Sequence, residues 1–195
     1  MVTLLKFNRI KTPIDELVIL EPVVHKDERG FFMEFYNKED FSKLGFDKPF
    51  VQVNLSKSIK GVIRGLHFQI EHPQGKLVKI IRGSVYDVAV DLRKGSPTFK
   101  SYFGIELSDK NHKMLYIPEG FAHGFLALTE EIDLIYVVTN YYYEEFDAGI
   151  VWNDPEIMIQ WPFKDYGLDR PLVSSKDSNL PKLSEVEIPF IYKKQ

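Results

Sequence analysis

The sequence predicts an all-β fold, a sandwich or small barrel of the jelly-roll kind. Three observations lead there. Short apolar runs alternate along the chain with Gly, Pro, Asn and Asp punctuation. Aromatic side chains are abundant, 15 Phe, 10 Tyr and 2 Trp, and these residue types pack well on pleated surfaces. Helical patterning is confined to residues 38–44 and a piece of the C-terminal third. The 195 residues, 44% apolar, suffice for one sizeable core, so a single domain over residues 1–195 is expected.

The strands follow in order. "LVIL" gives residues 17–20, and the aromatic run opened by Gly30 gives 30–36. "FVQVNLSK" alternates apolar with polar over 50–57. "VIRGLHFQI" covers 62–70 and "KLVKIIR" covers 76–82, with turn residues at 72–75 between them. In 84–92, Tyr86, Val88, Val90 and Leu92 take one face, while Val85, Asp87, Ala89 and Asp91 take the other. Residues 102–107, 113–117, 124–128 and 133–139 complete the set. No internal repeat and no low-complexity linker interrupts them.

Composition narrows the function classes. With 28 acidic and 25 basic side chains, a net charge of −3 gives no general attraction to nucleic acid or an anionic membrane. The absence of cysteine excludes disulfides and thiolate metal sites. No leader pattern opens the sequence and no apolar run is long enough to span a bilayer, so a cytoplasmic protein is expected.

Arg64, His67 and Lys76 interrupt segments that otherwise suit a core. Gly61, His67 and Gln69 fit the first half of a cupin metal motif, a Gly followed six residues later by His-x-His. Pro118, Gly120 and His123 fit the second half, Pro-x-Gly-x-x-His. Together, in order, on a β-rich chain, they point to a cupin-type barrel. The second His position holds Gln69, however, and the usual glutamate position falls on Pro73 or Gln74. Two of four ligands bind a divalent ion poorly, so no metal and no cofactor are expected. His25, His72 and His112 lie in polar, turn-like surroundings and read as surface histidines.

A longer series of motifs spans the chain: "DERGFF" at 27–32, "RGLHFQ" at 64–69, "PQGKLV" at 73–78, "DVAVDLRKGSPTF" at 87–99, "IPEGFAHGFLAL" at 117–128, "WNDPEI" at 152–157 and "SSKDSNLPKL" at 174–183. On these residues the chain resembles the dTDP-4-dehydrorhamnose 3,5-epimerase family over roughly residues 10–185. The resemblance implies a cofactor-free epimerase acting on dTDP-4-dehydro-6-deoxy-D-glucose in dTDP-L-rhamnose biosynthesis.

By that resemblance His67 is the general base that removes a proton beside a ketone, and Asp177 orients it. A histidine with an ordinary pKa near 6.5 suits the task, and a carboxylate on its other nitrogen fixes the tautomer. From its neighbours alone, Asp177 reads as a surface residue in a polar turn. Tyr136 matches the general acid; in a strand it shares a face with Leu134 and Val138, as a core tyrosine would. Lys76 matches the lysine that balances the enolate, with Asp87 as its expected partner. Arg64 is assigned to phosphate, for which its planar fork is suited. Strict alternation sets Arg64 and His67 on opposite faces, and Gly65 between them can host a bulge that re-aims one. Tyr141 matches the aromatic that stacks on thymine, or else ends a strand. Gln52, Asn54, His123, Asp147 and Lys176 match further ligand contacts. Arg29 and Glu34 match contacts made from the neighbouring subunit of a homodimer that exchanges N-terminal strands.

Val137 stands where relatives often carry lysine, and Val53 where an acidic residue is common; both are expected to alter ligand contacts. Other readings remain at this level: a 3-only or 5-only epimerase, an epimerase for another 4-keto nucleotide sugar, or a non-catalytic sugar-binding cupin. The last does not require His67, Asp177, Tyr136 and Lys76 together. A metal-dependent cupin oxygenase is disfavoured by Gln69 and Pro73.

Overall fold

The computed structural model describes residues 5–193; residues 1–4 and 194–195 of the expected domain lie outside the described residues. In chain order the strands are β1 Phe7–Lys11, β2 Val18–Pro22, β3 His25–Asp27, β4 Gly30–Phe32, β5 Gln52–Ile59, β6 Val62–Gln69, β7 Lys76–Arg82, β8 Ser84–Asp91, β9 Tyr102–Ser108, β10 Met114–Ile117, β11 Phe121–Ala127, β12 Glu131–Val138, β13 Asp147–Gly149 and β14 Leu172–Val173. Two short α-helices, α1 Lys38–Lys43 and α2 Ser175–Ser178, and three single 3₁₀ turns accompany them among the described residues. Among the described residues no helix is long and apolar enough to cross a membrane.

Two sheets face each other. The first runs β1-β2-β10-β7-β12-β5 and the second β13-β6-β11-β8-β9, with β14 paired parallel to β6. Alternation decides what lies between them. Val78, Ile80, Leu115, Ile117, Ile132 and Leu134 of the first sheet meet Val85, Ala89, Phe121, Phe125 and Ala127 of the second in one apolar core. The outer face of the first sheet is covered by α1, where Phe41 packs edge-on against Phe7 at 5.0 Å. Asn37 caps that helix by accepting from the Glu39 and Asp40 N–H groups. The outer face of the second sheet is covered by the chain after Gly149, through Ile150, Ile157, Leu183 and Ile188 and the Trp152–Phe163 pair.

Most of the expected strands form, with shifted ends, and β7 has the expected bounds. Three readings need correction. The strand expected over 30–36 stops at Phe32, because β4 has only the three-residue β3 as a partner. The strand expected over 124–128 begins at Phe121 and so carries His123 inside it. His112 is buried: its ring lies 4.7 Å from that of Phe31, and its carbonyl accepts from the buried Lys79 ammonium at 2.5 Å. His25 and His72 are exposed, as expected.

Candidate active site

One end of the space between the sheets is polar, and register explains which side chains reach it. On the first sheet, Val138 pairs with Gln52 and Lys76, and Tyr136 pairs with Asn54 and Val78. Paired residues share a face, so Gln52, Asn54, Lys76 and Tyr136 all point inward beside Leu134 and Val78. Gln52 donates to Asn54 at 2.8 Å and accepts the Tyr142 N–H at 3.0 Å.

On the second sheet, His123 pairs with His67, but Phe125 pairs with Arg64. Two steps along β11 therefore match three along β6, and the extra residue is a bulge. It brings Arg64 and His67 to the same inner face, as the expected irregularity at Gly65 requires. Gly65 has φ +123°, and a Cβ there would lie 2.6 Å from the Gly124 Cα. Only glycine fits this crossing. Arg64 then reaches across the mouth, donating to the Ser58 hydroxyl and the Lys57 carbonyl, each at 3.1 Å.

Asp177 arrives from 110 residues away. The outer edge of β6 is covered by β14 at Val62–Ile63 and by β13 at His67–Gln69, which leaves a gap at Gly65. α2 fills it. The Ser174 hydroxyl caps this helix by accepting the Asp177 N–H at 3.0 Å. One Asp177 oxygen takes the free Gly65 N–H at 3.1 Å, and the other accepts from His67 Nε2 at 2.8 Å. The residue that sequence context suggests is a surface Asp is 4% exposed. Burial pushes its carboxyl up, but the His67 hydrogen bond, the His67 charge and the Gly65 N–H outweigh this and hold it below the usual carboxylate value. With Nε2 donating to Asp177, the basic lone pair of His67 lies on Nδ1.

A second His–Asp pair lies beside the first. His123 Nε2 donates to both oxygens of Asp87, at 3.1 and 3.0 Å. Asp87 is thus bonded to His123 rather than to Lys76, its expected partner; it acts on Lys76 through charge alone. The two pairs differ in access. The His67 side chain is 31% exposed and that of His123 is 9%. A cavity of about 520 Å³ opens onto Arg64, His67, Lys176 and Asp177.

Lys76 crosses from the first sheet toward the second, its ammonium 3.4 Å from the His67 carbonyl. Burial pushes it down to about 8, against the opposing charges of Asp147 and Asp87. Burial likewise raises the Tyr136 phenol, with the Arg64 charge opposing and the Asp147 charge reinforcing, so the phenol stays protonated at neutral pH. Lys176 and Tyr142 both bond to one Asp147 oxygen, the hydroxyl at 3.2 Å. Tyr141 is 58% exposed at the rim.

Arg29 and Glu34 do not join this group within one chain. Arg29 chelates Asp27, with its closest contact at 2.5 Å, and Glu34 accepts from Asn37 at 3.1 Å. Val53 and Val137 pair with each other on the outer face, opposite Asn54 and Tyr136. Neither therefore alters the site directly, contrary to expectation. Sequence reasoning did not assign Ser58, although alternation from Gln52 and Asn54 places it on the same inner face. It also saw Gln69 only as a missing ligand. The buried Gln69 amide donates to the His72 and Tyr141 carbonyls, at 2.6 and 3.1 Å, and accepts the Tyr143 N–H at 2.9 Å. It ties the tyrosine segment to β6.

The family model described as dTDP-4-dehydrorhamnose 3,5-epimerase matches residues 11–185. A protein of that name from Methanothermobacter thermautotrophicus is 51% identical over 180 residues, covering 92% of this chain and 96% of the relative. Among solved structures, a dTDP-6-deoxy-D-glucose-3,5-epimerase from Legionella pneumophila in complex with dTDP-4-keto-L-rhamnose superposes with a TM-score of 0.92 at 43% identity, covering 96% of this chain and 100% of that one. A Bacillus anthracis dTDP-4-dehydrorhamnose 3,5-epimerase with TDP and pyrophosphate bound gives 0.86 at 45% identity, covering 91% and 99%. The cupin-type barrel read from the motif halves is the architecture these epimerases share with it. This chain belongs to the dTDP-4-dehydrorhamnose 3,5-epimerase family.

Proposed function

We propose that the inner-face groups described above carry out a 3,5-epimerisation, His67 and Asp177 as base and orienter, Tyr136 as acid and Lys76 as counter-charge to the enolate. The activity is that of a dTDP-4-dehydrorhamnose 3,5-epimerase, an isomerase of dTDP-rhamnose biosynthesis. The substrate, dTDP-4-dehydro-6-deoxy-D-glucose, has a ketone at carbon 4 that acidifies carbons 3 and 5. His67 Nδ1 takes the proton, the electron pair moves onto the carbonyl oxygen, and Asp177 stabilises the imidazolium. A proton delivered to the opposite face from Tyr136 inverts the carbon. Each inversion removes one proton and returns one, so no electron is transferred and no redox cofactor is required.

One observation carries the reading. His67 with Asp177 stands on the second sheet, while Tyr136 and Lys76 stand on the first. A sugar ring between the sheets is then addressed on both faces, which inversion needs. His67 is preferred to His123 as base because its ring is the more accessible. The Arg64 fork suits the diphosphate, and the exposed Tyr141 suits stacking on the base. Gln52, Asn54, His123, Asp147 and Lys176 complete the ligand contacts. The working unit is a homodimer in which Arg29 and Glu34 serve the partner's site; the exposed β3–β4 hairpin supports this.

Proton NMR with dTDP-4-keto-6-deoxyglucose in deuterated water tests the reaction. Deuterium should enter at carbons 3 and 5 as the dTDP-4-dehydro-L-rhamnose signals grow. Incorporation at one carbon alone makes the chain a monoepimerase, and none at either carbon overturns the enzyme reading.

A further inference from the structure

We infer that Thr139, held by Glu119, is a positioning residue for Lys76. The inference rests on the reading of Lys76 as the lysine that faces the enolate.

The strands that carry Lys76 and Tyr136 end together, with Lys76 paired to Val138. The ladder continues one pair further. The Thr139 N–H donates to the Gly75 carbonyl at 3.0 Å. The Gly75 N–H donates back, to the Thr139 hydroxyl, at 2.8 Å. That hydroxyl in turn donates to Glu119 Oε1 at 3.1 Å. The other Glu119 oxygen accepts from Lys48 at 2.5 Å. The neighbouring residues repeat the pattern: Gln74 donates to the Asn140 carbonyl at 2.9 Å, and Asn140 donates to the Pro73 carbonyl at 2.7 Å. The whole turn before Lys76 is thereby fixed to the residues that follow the Tyr136 strand.

Thr139 is 7% exposed, and its hydroxyl has one proton to give. Glu119 is its acceptor, which leaves a lone pair aimed at the Gly75 N–H. Without Glu119 the hydroxyl can rotate, and the lone pair is no longer set. The slot is tight: a Cβ on Gly75 would sit 3.2 Å from the Thr139 methyl and 3.3 Å from the Tyr116 hydroxyl. Lysine is a flexible side chain whose reach depends on where its backbone begins. An error of about 1 Å at a reacting group can cost on the order of 10²-fold in rate. Asn140 and the Thr139 N–H hold carbonyls of the turn and Gln74 is tied through its side-chain amide, whereas the Thr139 hydroxyl holds the peptide N–H one residue from Lys76.

The test compares Thr139→Val, Thr139→Ser and Glu119→Ala with Lys76→Met and the double variant Lys76→Met/Thr139→Val, assayed on dTDP-4-keto-6-deoxyglucose. Thr139→Val should lower kcat about 10- to 100-fold with KM little changed. Thr139→Ser, which keeps the hydroxyl, should restore most of it. Glu119→Ala should lower kcat in the same sense, and it supplies the test should Thr139→Val fail to fold. The double variant should be no slower than Lys76→Met, because Thr139 acts through the lysine. Thr139→Val or Glu119→Ala with a lowered melting temperature and an unchanged kcat overturns the inference, as does a multiplicative loss in the double variant. If Lys76→Met itself keeps the wild-type kcat, the reading of Lys76 fails first, and this inference with it.

Discussion

Lys76 sits 8% exposed on the inner face beside Val78, Ile80 and Val138, and among the described residues its ammonium makes one long hydrogen bond, to the His67 carbonyl at 3.4 Å. Burial lowers its pKa from 10.5 to about 8, with Asp147 and Asp87 only partly opposing this. The unfolded chain keeps the lysine proton up to 10.5, whereas the folded chain releases it near 8. Between those values the unfolded state binds more protons, so stability rises with pH there; below 8 the full penalty stands. The penalty is on the order of 3 kcal/mol at 1.36 kcal/mol per unit of pKa. Burial at such a cost fits the proposed role of Lys76 opposite the enolate. Lys76→Met, similar in length and uncharged, should be strongly slowed, with a residual rate still measurable, yet more stable than the wild type at neutral pH. The difference should shrink at about pH 10, where the wild-type lysine is neutral in the folded state. Urea unfolding at the two pH values reads this directly. A variant that is less stable at neutral pH would mean that Lys76 has partners which compensate its burial.

At the level of elements, β6 does most to build the site, and it does so by being irregular. A regular strand would aim Arg64 and His67 to opposite sides; the bulge turns both inward, and Gly65 permits it. Gly65→Ala should break this. The residue would keep φ +123° with its Cβ 2.6 Å from the Gly124 Cα and 2.8 Å from the His123 carbonyl. Backbone strain alone costs of order 1–3 kcal/mol, and the collision is with main chain that cannot rotate away. The urea midpoint should fall and activity should be lost, since His67, Arg64 and the Asp177–Gly65 contact move together. A variant as stable and active as the wild type would show that the bulge can be regularised. The same element shows what sequence reading could reach. The bulge was legible because glycine at the point where alternation fails has few other meanings. β7 was legible because a short run rich in Leu, Val and Ile is bounded by the turn residues at 72–75 and by Gly83. β1 was not: "FNRIK" is mostly polar, and it forms because Phe7–Lys11 pairs along β2. β13 and β14 are three and two residues long, with no pattern of their own, and exist as partners of β6. Asp177 shares their fate. Its place beside His67 was legible only through resemblance, because the Gly65 N–H it bonds lies 112 residues away in sequence.

At the scale of the whole molecule, the single chain leaves groups unused. The β3–β4 hairpin is exposed along its length, with Phe31 at 56% and Phe32 at 68%, and among the described residues Arg29 at its tip bonds only to Asp27. The outer side of β5, at the edge of the first sheet, exposes Val53 at 65%, Leu55 at 70% and Ile59 at 57%. An apolar edge of this kind invites another strand or a covering surface. The proposed exchange of N-terminal strands uses both features, and it makes each site a product of two chains. A closed two-fold dimer has two such sites, each drawing Arg29 from one protomer and His67 from the other. Arg29→Ala and His67→Ala proteins should each be inactive or nearly so as pure dimers. In a mixed dimer one site receives both defects and the other receives neither. If subunits reassort at random, half of the dimers in an equimolar mixture are mixed, and each of these holds one intact site. Mixing the two inactive proteins, after brief denaturation and refolding to exchange subunits, should therefore recover about a quarter of the wild-type activity per site. Differently tagged proteins allow mixed dimers to be isolated and counted beside the assay. Recovery in proportion to their number supports shared sites. Mixed dimers without activity would show that Arg29 serves the site of its own chain, and an active monomer would show that the site is complete in one chain.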